Sequence, residues 1–155
     1  MYMDVPANSG VPPIRDAGGA WSEVAAAVKA VDSALDRWMQ SAFGVGITEY
    51  RASRHLILSR DRELRINDLA ERVDLNQSSA TRLVGRMEAK GLAYRDTCPN
   101  DGRGIYAVIT ERGVDLANDI HDKYEAKIQE LLHDAPSSGS ADIRRALSTL
   151  SAIIS

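Results

Sequence analysis

A mainly α-helical chain with one small β-hairpin is what this sequence predicts, and three observations predict it. Apolar residues recur at i, i+3 and i+4 over long stretches at both ends of the chain. Between them lie two short amphipathic segments joined by an Asp-Leu-Asn break, NDLAERVDLNQSSATRLVGRMEAKG (67–91). The period then changes to that of strands: LAYR (92–95) and the β-branched IYAVI (105–109) flank a turn-rich TCPNDGRG (97–104).

Residues 1–19 hold three prolines and three glycines and no apolar period, which reads as a flexible arm. A helix is expected from Ser22 as N-cap, with Val24, Ala25, Val28, Val31, Leu35, Trp38 and Met39 in one broad stripe running to about Phe43. Gly44 and Gly46 close it and Thr48 opens the next helix. There Tyr50, Ala52, Ser53, Leu56 and Ile57 are expected inward and Arg51, Arg54 and Arg60 outward. Leu64–Ile66 has room for one brief strand.

In the central pair, Leu69, Ala70 and Val73 form the apolar stripe of a short helix. Asp74, Leu75 and Asn76 interrupt it, with Asn76 suited to cap the helix that follows. Ala80, Leu83, Val84 and Met87 should be buried, leaving Gln77, Ser78, Thr81, Arg82, Gly85 and Arg86 on the opposite side. Short polar side chains at a helix start, followed by arginines one turn apart, suit a helix lying in the major groove of duplex DNA. Gly91 is placed as a C-cap glycine. The hairpin that follows is a wing, whose tip carries Asn100, Asp101, Gly102 and Arg103, and an arginine there can enter the minor groove. Thr110 caps a further helix from Glu111 to about Leu132. DAPSSG (134–139) is a loop, and a last helix starts at Ser140 or Ala141, with Ile143, Leu147, Leu150 and Ile154 in register.

The expected organisation is therefore an arm at 1–19, dimerisation helices at 20–44 and 111–155, and a winged helix-turn-helix domain at 45–110. The terminal helices offer more apolar surface than a monomer can cover, which predicts a homodimer.

A formal net charge of −3 over 155 residues argues against nucleic-acid binding by bulk charge. Locally the balance differs: residues 77–107 hold five Lys or Arg against three acids, so the rest of the chain is net −5. Binding to double-stranded DNA would then depend on placed contacts and dimerisation. Cys98 is the only cysteine, which excludes a disulfide within one chain and leaves a redox-responsive role through Cys98 as an alternative. No apolar run reaches the length of a membrane span and no signal pattern opens the chain, so no membrane partner and a cytoplasmic location are expected. His55, His121 and His133 show no metal-ligand spacing. A nucleophile elbow, a phosphate-binding glycine loop and a His-Glu-x-x-His helix are all missing from the sequence, so neither an enzyme nor a cofactor is expected.

The stretches DLAERVDLNQSSATRLVGRMEAKGLAYR (68–95), DGRG (101–104) and ITERG (109–113), with the order of elements around them, resemble the MarR family of bacterial winged-helix regulators. The likeness covers about residues 20–155. It implies an obligate dimer on a pseudo-palindromic operator, with one recognition helix per major groove and one wing arginine per minor groove, most often acting as a repressor. Carried onto this chain, it makes Gln77, Ser78, Ser79, Thr81, Arg82 and Arg86 the recognition-helix residues and Arg103 the wing arginine, with Asp101 orienting Arg103. It also implies a small aromatic effector between the dimer helices and the DNA-reading lobe. Trp21, Trp38, Tyr50, Arg54 and His55 are the residues of this chain suited to such a pocket, with dimer-interface packing as the alternative for both tryptophans and a core or surface role for His55. The chain departs from the family in its longer N-terminal arm and in ITEYRASRHLIL (47–58), which lacks the Gln-Trp pair often found near the start of that helix. A different class of function is also consistent with the pattern: a winged-helix module that binds a protein partner.

Overall fold

The computed structural model describes residues 16–97 and 104–133. The arm up to residue 15, the wing tip with Cys98, Asp101 and Arg103, and the expected last helix lie outside the described residues. In chain order the elements are α1 (Ala17–Phe43), α2 (Ile47–Ile57), a 3-10 turn (Arg60–Arg62), β1 (Glu63–Arg65), α3 (Ile66–Arg72), α4 (Gln77–Ala89), β2 (Ala93–Thr97), β3 (Ile105–Ile109) and α5 (Glu111–His133). The chain divides into two compact units, Met1–Val31 with Glu130–Ser155, and Asp32–Gln129.

The larger unit is built on one apolar core. Leu35 and Met39 of α1, Leu56 of α2, Leu69 of α3, Leu83, Val84 and Met87 of α4 and Ile120 of α5 are its largest fully buried side chains. All sit at the helical spacing that the sequence shows, and burying each contributes roughly 1.5–3 kcal/mol relative to exposure. The sheet has strand order β1-β3-β2 and is antiparallel throughout. Leu64 lies opposite Ala107, and Ala93 opposite Ile109, so these four buried residues share the face turned to the helices.

Several boundaries differ from the sequence expectation, each for a physical reason. Helix α1 starts at Ala17, earlier than Ser22, because the Asp16 carboxylate accepts from the Gly19 N–H at 3.1 Å and caps the helix. The end of the expected arm, residues 17–19, is therefore helical, and the Ser22 hydroxyl donates to the Gly18 carbonyl. Helix α2 opens at Ile47 and not at Thr48. Gly46 is its N-cap and offers no side chain, so Asp36 Oδ1, eleven residues upstream on α1, accepts from the Ile47 N–H at 2.9 Å. Strand β1 ends at Arg65, and β2 runs on to Thr97, past the Arg95 expected.

In the smaller unit, the described residues of α1 bury Ala27 but leave Trp21 and Val28 65% and 51% exposed. Val28 belongs to the apolar stripe and Trp21 lies in the segment 20–44 that the sequence assigns to dimerisation.

Candidate nucleic-acid interface

The site is built around α4. Asn76, extended at φ −72° and ψ 165°, accepts from the Ser79 N–H at 2.8 Å, so the helix begins where its capping residue dictates. Helix α3 ends in a matching way. Asp74 takes φ +56° and the Leu75 N–H reaches back to the Ala70 carbonyl at 2.9 Å, turning the chain toward α4. At the far end of α4, Gly91 takes φ +71°, with Gly91 N–H on the Glu88 carbonyl and Leu92 N–H on the Met87 carbonyl, a complete Schellman motif.

Ala80, Leu83, Val84 and Met87 are wholly buried, which fixes the rotation of α4 about its axis. The face this leaves outward carries Gln77, Ser78, Thr81 and Arg82, all exposed, with Ser79 half-buried beside them. Their polar atoms are ordered by local contacts. Ser78 Oγ donates to Asn76 Oδ1 at 2.9 Å, Thr81 Oγ1 to the Gln77 carbonyl at 2.9 Å, and Arg82 Nη2 to Ser79 Oγ at 3.1 Å. Each of these is exchangeable for a partner outside the chain.

Arg86 sits elsewhere. Its Nε lies 3.5 Å from Oε1 of Glu49 on α2, which Lys90 Nζ also approaches, at 3.0 Å to Oε1 and 2.7 Å to Oε2. The sequence groups Arg86 with Arg82 by helical spacing and by the family resemblance; in the structure Arg86 also reaches the buried acid of α2.

The wing is anchored to α4 by a second ion pair. Arg95 of β2 donates to Glu88 Oε2 from Nε at 3.1 Å and from Nη2 at 3.0 Å, and the Arg95 N–H points to Oε1 at 3.4 Å. These bonds to Arg95 hold the Glu88 carboxyl below its usual range. A groove of about 220 Å³ separates the helices from the hairpin, lined by Asn67, Gln77, Thr81, Arg95 and Ile105 among others. The base of the wing is closed by Thr110, whose hydroxyl donates to the Gly91 carbonyl at 2.6 Å and accepts from the Gly113 N–H at 3.1 Å.

Of the residues proposed from sequence for an effector pocket, Tyr50, Arg54 and His55 lie on α2 and Trp38 on α1. Trp38 packs edge-on against Phe43, with ring centroids 5.5 Å apart. Tyr50 is buried against Tyr124 of α5 at 4.9 Å, with its hydroxyl 3.2 Å from His121 Nδ1. Burial pushes the Tyr50 phenol up, opposed by the charge of Arg54. Arg54 itself donates to Asn118 Oδ1 at 3.4 Å, and His55 is half-buried. Trp21 belongs to the other compact unit. Beside Tyr50 the space between α2 and α5 is only about 10 Å³, smaller than any aromatic ligand.

Sequence reasoning missed Glu49 and the Glu88–Arg95 pair. For Glu49 a signal was present: Glu49, Ala52, Ser53 and Leu56 follow i, i+3, i+4, i+7, so the acid lies on the inward face. Nothing local marks Glu88 and Arg95 as partners.

A family model described as the MarR family matches residues 44–104. That stretch runs from the turn before α2 to the foot of β3 and contains the whole helix-turn-helix. Residues 44–104 are therefore similar to the winged helix-turn-helix of the MarR family. The chain is 33% identical over 89 residues to the HTH-type transcriptional regulator MhqR of Bacillus subtilis (strain 168). The match takes in 57% of this chain and spans 60% of that relative's length. Among solved structures, it is similar to the MarR family regulator Sco3205 of Streptomyces coelicolor in complex with DNA. There the TM-score is 0.73 at 23% identity, covering 94% of this chain and 91% of the other. It is also similar to BpsR of Bordetella bronchiseptica, whose DNA binding is regulated by 6-hydroxynicotinic acid. That match has a TM-score of 0.66 at 14% identity and covers 90% and 98% of the two chains. The shared fold is the MarR one, with α1 and α5 outside the segment that the family model matches. Among the described residues no helix is long and apolar enough to cross a membrane, and no group of three metal-ligating side chains occurs.

Proposed function

We propose that this chain is a transcription regulator that binds double-stranded DNA as a homodimer, with α4 in the major groove and the β2–β3 hairpin in the adjacent minor groove. One observation carries the reading. The rotation of α4, set by four buried residues, turns Gln77, Ser78, Thr81 and Arg82 outward together at the start of the helix. Asp101 and Arg103 complete the interface from the wing tip, and the exposed Trp21 and Val28 of α1 support dimerisation.

Two subunits reading a pseudo-palindromic operator must hold their helices about one duplex turn, roughly 34 Å, apart. A small aromatic effector that changes this spacing would release one half-site, which makes the protein a ligand-responsive repressor. MhqR, a regulator by name, supports the regulatory role; Sco3205 supports the DNA partner, and BpsR supports an aromatic acid as effector class.

The test is a gel-shift titration with duplex from the region beside the chain's own gene. A salt-sensitive, sequence-selective shift is expected, and Arg82→Ala should weaken it by roughly 1–3 kcal/mol if Arg82 reads a base. A folded protein that gives no selective shift, or an Arg82→Ala and Arg103→Ala pair with undiminished function, would instead favour a protein-binding module.

A further inference from the structure

Glu49 is one of two polar or charged residues that are buried among those described, at 4% exposure. A carboxylate so placed is costly unless cations satisfy it. Two do, from α4 and its C-cap: Lys90 Nζ at 2.7 Å and Arg86 Nε at 3.5 Å. They stand four residues apart, one above the other on the same edge of the helix. Both side chains are partly open, 55% for Arg86 and 38% for Lys90. A polar cleft of about 420 Å³ lined by Asp36, Gln40, Thr48, Glu49, Arg86 and Lys90 brings water to them. The two cations therefore have room to leave Glu49 once its charge is gone.

We propose that Glu49 is a positioning and specificity-determining residue: it clamps the last turn of α4 to α2 and withholds Arg86 and Lys90 from duplex phosphates. The second half of this statement rests on the DNA-binding reading above. Cations on a groove-lying helix add affinity for every sequence alike, through counterion release, and so erode selectivity. With a net charge of −3 the chain has little bulk attraction for DNA, and Glu49 neutralises the positive charges of Arg86 and Lys90. The residues left to contact the duplex are then those at the start of α4, which face base edges.

Two measurements on the full chain separate the parts of the proposal. In the absence of DNA, hydrogen exchange of wild type, Glu49→Gln and Glu49→Asp tests the clamp. Glu49→Gln should speed amide exchange at residues 86–90 about tenfold while α5 is unchanged, and Glu49→Asp should recover part of the protection. Equal exchange in wild type and Glu49→Gln overturns the clamp.

With a random-sequence duplex in a salt series, Glu49→Gln should bind more tightly than wild type at low salt. Its salt slope should be steeper by about one to two units per subunit, one for each cation released. Adding Lys90→Gln should return about one unit. A residue with a merely structural role would weaken binding without changing the slope, so an unchanged slope overturns the withholding role. If wild type binds no duplex at all, the DNA-binding reading fails and the withholding role falls with it, while the exchange measurement still decides the clamp.

Discussion

At its first turn α4 is tied chiefly to its own chain neighbours, whereas at its last turn it is tied to α2, β2 and the start of α5. The first turn holds the Asn76 cap and the hydroxyl and guanidinium contacts of Ser78, Thr81 and Arg82, none of which reaches further than four residues along the chain. The last turn holds Arg86 and Lys90 on Glu49, Glu88 on Arg95, and Gly91, whose carbonyl accepts from Thr110. Local bonds at an exposed helix start exchange readily for outside partners, while long-range ion pairs and a closed C-cap keep the axis in place. One helix is thus adaptable at its exposed start and fixed where it meets its own fold.

Removing what both ends share should have the largest effect. Leu83, wholly buried in mid-helix, anchors the two halves alike, and Leu83→Ala should destabilise the fold by about 3 kcal/mol in urea unfolding. A loss under about 1 kcal/mol would mean that the ends and not the core hold the helix.

Next comes the fixed end. Gly113 packs directly beneath the chain at Leu92, where an added Cβ would run into the Leu92 carbonyl and the Ile109 side chain. Backbone cannot yield as a flexible side chain can, so Gly113→Ala should cost about 2 kcal/mol and pull the wing base away from α4. Urea unfolding measures the cost, and amide exchange in β2 reports the loosening.

The adaptable end should be cheaper to damage. Asn76→Ala removes one capping bond at an exposed site and should cost about 1 kcal/mol of stability, with faster exchange confined to residues 78–80. If exchange rises through to Lys90, the two ends are not independent.

The smallest effect is one of pH. Because the Glu88 carboxyl is held below its ordinary value of 4.5 by Arg95, its contribution is present above that value and is lost as pH falls through the depressed one. Wild type should thus lose its clasp only on acidification below about 4.5, whereas Glu88→Gln should lack that part of the acid dependence. Chemical shifts of Arg95 followed through an acid titration would show it. A matching titration in Glu88→Gln would assign the dependence to another group.

Much of this architecture could be read from the chain itself, and the reasons differ by residue. The apolar spacing of Leu69, Leu83 and Ile120, the cap at Asn76 and the stop at Gly91 express interactions that close within a few residues, where composition and period are decisive. The outward set Gln77, Ser78, Thr81 and Arg82 follows from the same periodicity once the buried face of α4 is known. Side chains whose partner is distant in sequence were less legible. Arg86 shares the helical face of Arg82 but finds Glu49, and Tyr50, expected to line an effector pocket, packs on Tyr124 beside His121.

Sequence alone thus determined the described helices, the pairing of β2 with β3 and the orientation of the outward polar face of α4, because each is specified by local period, caps and turns. Tertiary structure decided which distant groups meet. It paired β1 with β3, let Asp36 of α1 cap α2 in place of a local residue, joined Glu88 to Arg95, and set Glu49 under Arg86 and Lys90. Those partners lie 7 to 45 residues apart in the chain. Helical period can place Glu49 on an inward face, but no local signal says which cation a given carboxylate among 22 acids will meet; only the packing of the apolar core brings the chosen pair within bonding distance.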